Sequence, residues 1–375
     1  MRIVFNCRSF LKKQKAGIGR YAFNLVRSLS ELDEENEYHL YVPKGIFDLR
    51  KRTPRFSGRN FIVKRDWFRR GVASSLGGAD LYHAPSPEIL PEFSGKIIVT
   101  VHDLIYRRYP QGHTPETRAA TDRQMASLVE RADRMICCSH HTAKDLQELF
   151  HVPEERIRVI HQGVDRSVFY PLDEKERDLA RSCLNRKGLK EPFFLFVGTL
   201  EPRKNLKNVL KAFAGLKRGE KFSGKLVVAG MKGWLQEDLK EEVKGSGLRL
   251  EDVVFSGYVT DTDLRYLYNL AAALVFPSFY EGFGFPILEA FCCGTPVVTS
   301  QTASCPEIAG DAALLVSPDD VSSIREAMAR VGEDKGCAAE LIRKGFRQAE
   351  EFSFTRTAQQ TLGVYEECLG KGRSS

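Results

Sequence analysis

The chain alternates short apolar runs with longer amphipathic segments. Apolar runs at 2–6, 38–42, 60–63, 79–82, 97–101, 134–138 and 157–160 predict strands, with helical spacing at 18–30, 116–131 and 140–149. The alternation restarts at Phe193-Phe194-Leu195-Phe196-Val197 and predicts further strands at 225–229, 252–255, 273–276, 296–299 and 312–316. Continuous apolar strands separated by helices belong to parallel sheets covered on both faces. The chain therefore reads as α/β, with two doubly wound domains of similar size. The polar stretch 171–191 is the expected boundary, with residues 1–170 before it and 171–352 after it. Phe352-Ser353-Phe354-Thr355 through Cys368 predicts a final helix, set at 353–370. Ligands of such sheets sit beyond the carboxyl ends of the strands. Two such domains facing each other imply a cleft between them.

With 375 residues, 42% hydrophobic and 28% charged, the composition excludes disorder, collagen and a small disulfide scaffold. No apolar run reaches the ~18 residues of a membrane span. Met1-Arg2-Ile3-Val4-Phe5 reads as a strand, not as a signal peptide. The nine cysteines are odd in number and lack CxxC spacing. They read as buried free thiols, which points to a reducing, cytoplasmic setting. Charge changes the picture more. Residues 1–170 hold 28 Lys+Arg against 20 Asp+Glu, whereas the remainder is near neutral, and all eight histidines lie between His39 and His161.

The richest segment for chemistry is Glu281-Gly282-Phe283-Gly284-Phe285-Pro286-Ile287-Leu288-Glu289, which follows a strand and opens a helix. Its glycines let backbone approach a ligand, and Pro286 suits a first helical turn. Free amides at a helix start favour an anion. A second junction, Gly198-Thr199-Leu200-Glu201-Pro202-Arg203-Lys204-Asn205, carries adjacent cations where a helix begins. Cations there are unfavourable unless an anion neutralises them, and an Arg fork beside a Lys suits a diphosphate. Separately, Glu281 also fits a plain dipole partner, and Arg203-Lys204 a solvated pair. Together the two junctions point to a nucleotide diphosphate.

These residues resemble family 4 of the glycosyltransferases, which has the two-domain GT-B architecture of facing Rossmann-like domains. The likeness rests on Glu281-x7-Glu289 and the Gly-Thr-Leu-Glu-Pro-Arg-Lys-Asn run. Val159 to Asp165, Thr295-Pro296-Val297-Val298, Ser304 to Ile308 with Gly310 to Ala313, Gly17 to Tyr21 and Thr100-Val101-His102-Asp103 follow in the family's order. The resemblance implies a retaining transfer of a sugar to an acceptor hydroxyl. Arg203 and Lys204 would bind the donor phosphates and stabilise the leaving group. Glu281 would face the donor sugar, with Gly282, Phe283, Gly284 and Phe285 at the same loop and Gly198 at the other. Glu289 would accept from the ribose. The two cations and the helix amides take the place of a metal, so no metal or other cofactor is expected. The final helix would cross back onto the first domain, so that hinge closure is expected.

In the first half, Gly17-Ile18-Gly19-Arg20-Tyr21-Ala22 has the GxGxxA form, but Arg8 to Ala16 separate it from the strand and no acid follows the second strand. A nicotinamide cofactor is therefore not expected. The resemblance places Gly17, Gly19 and Arg20 near the donor phosphates; a surface salt bridge is the other reading of Arg20. His102 ends a strand, where an imidazole can donate to a sugar hydroxyl. By resemblance it lies beside the donor sugar. His83 ends another strand and has a structural and a functional reading. His140-His141 reads as a helix start without metal-ligand spacing. Asp261-Thr262-Asp263 spells the DxD of metal-dependent transferases but reads better as a helix N-cap.

Between 50 and 70 lie Arg50, Lys51, Arg52, Arg55, Arg59, Lys64, Arg65, Arg69 and Arg70, interleaved with Phe56, Phe61, Trp67 and Phe68. No nucleic-acid motif accompanies them. A solvated surface and an anionic membrane surface are the two remaining readings. The expected function is transfer of a hexose, with mannose from GDP-mannose preferred over UDP-glucose or UDP-N-acetylglucosamine. The acceptor would be a polysaccharide or a lipid-linked oligosaccharide, as in lipopolysaccharide synthesis, at the inner face of the membrane. A nucleotide-sugar epimerase and an inert binding protein on the same fold are the alternatives.

Overall fold

A computed structural model describes residues 1–11, 17–43, 56–66, 78–231 and 239–370. These residues form two compact units. The first contains Met1–Arg107, His113–Gly163 and the chain from Phe352 onward; the second contains Arg108–Gly112 and Val164–Glu351.

The sheet of the first unit has seven strands: β1 (Arg2–Asn6), β2 (Glu37–Pro43), β3 (Phe61–Asp66), β4 (Leu81–Ala84), β5 (Lys96–Val101), β6 (Arg134–Cys137) and β7 (Ile157–Val159). Their order is β3-β2-β1-β4-β5-β6-β7. All neighbouring pairs are parallel. Side chains alternate between the two faces. Ile3 and Phe5 join the apolar layer of helices Gly17–Leu32 and Phe354–Cys368, whereas Val4 joins that of Pro115–Arg131 and His140–Phe150. Each of the last three helices starts on a side-chain cap, from Thr114, Ser139 and Ser353.

Helix Phe354–Cys368 belongs to the first unit and packs along Gly17–Leu32. Phe354, Ala358, Val364 and Tyr365 are buried there. Arg134 of β6 and Arg158 of the edge strand β7 both grip Glu367. The return of the chain is tight: a Cβ on Gly163 would lie 2.2 Å from the backbone nitrogen of Phe354.

The second unit has six parallel strands: β8 (Phe193–Val197), β9 (Lys225–Ala229), β10 (Val253–Gly257), β11 (Ala273–Phe276), β12 (Val297–Ser300) and β13 (Leu314–Val316). The order is β10-β9-β8-β11-β12-β13. Helices Leu206–Arg218 and Val321–Glu333 bury Val209, Phe213, Ile324 and Met328 against one face. The polar stretch 171–191 contains a helix, Glu174–Arg186, opened by a capping box between Asp173 and Glu176. It reads as polar because it buries only Ala180 and Leu184. All nine cysteines are free. Among the described residues no helix is long and apolar enough to cross a membrane.

Candidate active site

In the second unit β8 lies between β9 and β11, so the chain order reverses across the β8–β11 pair. Loops following these two strands carry the charged residues, as expected at such a switch point. The loops are bonded to each other. Phe279 N donates to Arg203 O at 2.9 Å, and Asn205 Nδ2 donates to Pro277 O and Pro318 O at 2.9 and 2.6 Å. Asn205 adopts φ 66° and Gly284 φ 116°, left-handed turns that deliver the chain into the following helices. The Ser304 hydroxyl lies 3.0 Å from Glu281 O and 2.7 Å from Phe283 O, donating to the loop that precedes helix Phe285–Cys292.

Between the loops Arg203, Lys204 and Glu281 meet. Glu281 Oε1 receives Lys204 Nζ at 2.7 Å and Arg203 Nη1 at 2.9 Å. Arg203 Nη1 also donates to Tyr280 O at 2.6 Å, and Nη2 to Glu201 Oε1 at 2.6 Å. The Lys204 ammonium stands 4.9 Å from the Phe276 ring centroid. Glu281 and Arg203 are each only 7% exposed. Burial alone would raise the Glu281 carboxyl, but Arg203 and Lys204 outweigh it and hold the group below its ordinary value.

Arg203 and Lys204 stand on a short turn, Pro202–Lys204, before helix Leu206–Arg218, and two carboxylates of the chain itself neutralise them. An external anion is therefore not required to hold them there; it would enter by competing with Glu281 and Glu201. Glu201 is a member of the cluster that local spacing did not single out. Glu201 also lines a cavity of about 380 Å³, together with Tyr109, Leu206 and Phe279 among others. Its walls are largely apolar, so the charge chemistry lies in the ion cluster.

Glu289 is 6% exposed and accepts from the Tyr268 hydroxyl at 2.9 Å. Tyr268 comes from helix Asp261–Leu270, and nothing near it in sequence flags the contact. In the same helix the cap is Thr260, whose hydroxyl accepts from Asp263 N. The DxD aspartates thus occupy the first turn, not the cap position. Asp263 pairs with Lys187 at 2.8 Å.

In the first unit, Gly17 and Ile18 are exposed at the start of helix Gly17–Leu32, Gly19 is buried, and Arg20 is half-buried. The ring of Tyr21 meets His102 edge-on, with centroids 5.0 Å apart. His102 follows β5. Its Nε2 lies 2.7 Å from Pro85 O and its Nδ1 2.8 Å from Gln162 Nε2. A proton on Nε2 satisfies both bonds: Nε2 donates to the carbonyl, and Nδ1 accepts from the amide. Burial pushes the His102 pKa down, against the opposing pull of Pro85 O and Asp103. Both ring nitrogens are thus engaged, so a sugar hydroxyl would have to displace one partner.

His83 is fully buried, with Nδ1 2.6 Å from the Tyr365 hydroxyl and Nε2 2.9 Å from Thr100 Oγ1. Burial lowers its pKa to about 3. This resolves its two readings: it is a structural bridge to the last helix. His140 opens a helix behind the Ser139 cap. Of the basic stretch, residues 50–55 and 67–70 lie outside the described residues. Within it, Phe61 stacks on Tyr38 with centroids 4.2 Å apart, and Phe56 lies 5.8 Å from Phe23. These two rings pack inward and are not exposed for membrane insertion.

Residues 184–348 match the family described as "Glycosyl transferases group 1", and residues 16–168 match "Glycosyltransferase Family 4". The chain is 29% identical to O-antigen chain mannosyltransferase B of Escherichia coli, over 98% of this chain and 100% of that protein. It is 30% identical to an uncharacterized glycosyltransferase of Methanocaldococcus jannaschii, over 72% of this chain and 68% of that one. The structure is similar to sucrose-phosphate synthase from Thermosynechococcus elongatus, with a TM-score of 0.75 and 21% identity over 98% and 99% of the two chains.

Proposed function

Because the chain belongs to glycosyltransferase family 4, with the GT-B type of fold, we propose that it transfers a hexose with retention from a nucleotide-diphosphate sugar to a glycan acceptor. The observation that carries this reading is the buried Arg203–Lys204–Glu281 cluster at the carboxyl ends of β8 and β11. A diphosphate arriving there meets a guanidinium fork and an ammonium already held in place. It takes over part of what Glu281 and Glu201 now neutralise. As the sugar–phosphate bond breaks, charge grows on the leaving diphosphate, and preorganised cations stabilise it where it develops. Glu281, released from one cation, can accept from a donor-sugar hydroxyl. Glu289 accepts from the ribose beside Tyr268. The leaving phosphate takes the acceptor proton in a front-face displacement. His102 orients a sugar hydroxyl once that hydroxyl replaces Gln162 or Pro85 O.

GDP-mannose is the preferred donor, in keeping with the mannosyltransferase named above, and the acceptor is a polysaccharide or lipid-linked oligosaccharide. The enzyme works on the cytoplasmic side, and the cations of 50–70 draw it to anionic lipid. Cosedimentation with phosphatidylglycerol vesicles tests this contact, which neutralising those cations should abolish. Thermal shift with GDP-, UDP- and ADP-sugars tests the donor: GDP-mannose should give the largest shift. NMR of the product's anomeric proton tests retention. Transfer should persist in EDTA, since the cluster supplies the positive charge.

A further inference from the structure

We propose that Glu88 is an acceptor-binding carboxylate, placed to take hydroxyls of a pyranose ring. The proposal rests on the reading above of an enzyme that glycosylates a glycan. Glu88 lies in the segment that leaves β4. Asn6, the last residue of the adjacent strand β1, donates its Nδ2 to both Glu88 oxygens, at 2.6 and 2.7 Å. The Tyr82 hydroxyl donates to Oε1 at 2.5 Å. The Asn6 amide is itself held, because its Oδ1 accepts from Arg8 N at 2.9 Å. The carboxylate is thus fixed at the carboxyl ends of two central strands, where α/β sheets bind ligands.

A structural pin at this place would need no carboxylate. Burial penalises its charged form, and an amide would bridge Asn6 and Tyr82 without that penalty. Burial holds the Glu88 carboxyl above its usual value against the pull of Tyr82, Asn6 and Arg8. A carboxylate has about four acceptor sites. The donations from Asn6 and Tyr82 leave capacity for a ligand hydroxyl, and Glu88 is only half-buried. Beside it Ile89 is 89% exposed. A pyranose presents a hydroxyl rim and an apolar C–H face, and Glu88 with Ile89 matches both.

The segment is also rigid at its two ends. Pro85 O accepts from His102 Nε2, which ties it to the imidazole proposed above to orient a sugar hydroxyl. Leu90 O and Pro91 O accept from Arg131 at 3.1 and 2.5 Å.

The test is calorimetry on the full chain. GDP and UDP are titrated first, and α-1,2- and α-1,3-mannobiose are then titrated into the nucleotide-loaded protein. Wild type should take a mannobiose. Glu88→Gln should weaken it by about tenfold or more with the nucleotide Kd unchanged. Ile89→Ser should weaken it severalfold without lowering Tm, because the side chain is exposed; it decides the matter if Glu88→Gln fails to fold. Equal mannobiose affinity in wild type and variants overturns the proposal. So does a wild type that binds nucleotide but neither disaccharide. A wild type that binds no nucleotide overturns the functional reading beneath it.

Discussion

Both units place buried polar side chains at the carboxyl ends of a parallel sheet, but they do it in opposite ways. The second unit uses full charges of both signs, Arg203 and Lys204 against Glu281 and Glu201. The first relies on neutral partners: His102 lies between Pro85 O and Gln162, His83 between Tyr365 and Thr100, and the Glu88 carboxylate is held by Asn6 and Tyr82. Preset charges suit a substrate that arrives charged and leaves more so. Neutral donors and acceptors suit hydroxyls. The difference matches a donor carrying a diphosphate and an acceptor carrying a glycan, and it can be broken from either side.

The largest effect should come from Lys204→Ala, which removes an ammonium from the leaving group's site. Transfer should fall at least tenfold, equivalent to ~1.4 kcal/mol. Near-normal initial rates in a folded variant would remove Lys204 from catalysis. Next is Glu281→Gln. Removing one partner of a buried pair is destabilising because it leaves the opposite charges uncompensated. Its Tm should drop, and turnover with it, while added GDP should recover more Tm than in wild type by supplying the lost negative charge. An equal GDP shift in both proteins would mean that nucleotide does not reach the cluster. Glu289→Ala should weaken donor binding; unchanged donor affinity would strip Glu289 of its ribose role.

Acid should separate the units. His83 and His102 are held neutral, so their contribution is complete above the unfolded value of about 6.5 and is lost as pH falls through their depressed values. The contribution of Glu281 is complete above about 4.3 and is lost only below that, as pH falls through its own depressed value. Between pH 6.5 and 4.5 the first unit should lose stability before the second. Hydrogen exchange should show β4 and β5 opening ahead of β8 and β11; simultaneous loss would refute the asymmetry. The smallest effect is Gln162→Met, which leaves His102 Nδ1 without its donor. Transfer should fall a few-fold, mainly in kcat, and an unchanged pH–rate profile would show that Gln162 does not set the imidazole's proton.

Legibility followed the range of the interactions. Strands were readable because both faces are apolar: Phe193 to Phe196 is a strand from its own letters. Lys204 and Glu281 were readable because each stands at a strand–helix junction with glycine or proline beside it. Their mutual ion pair was not, since 77 residues separate them and only the β8–β11 neighbourhood brings them together. Tyr268 on Glu289, Gln162 on His102 and Glu88 on Asn6 are hidden for the same reason. Helix Glu174–Arg186 was obscured differently: it buries so little that its stripe fades into the polar residues around it.

The placement of helix Phe354–Cys368 bears on how the protein is made. Its Phe354, Ala358 and Tyr365 cover the face that Leu25 and Leu29 present, and Tyr365 completes the bond to His83. All of the second unit, Arg108–Gly112 and Val164–Glu351 alike, is synthesised before that helix leaves the ribosome. The half of the chain translated first must therefore wait, with an apolar face uncovered, while the half translated later folds as a nearly continuous block. During synthesis the exposed surface is on the first unit, and that is where a chaperone would be needed.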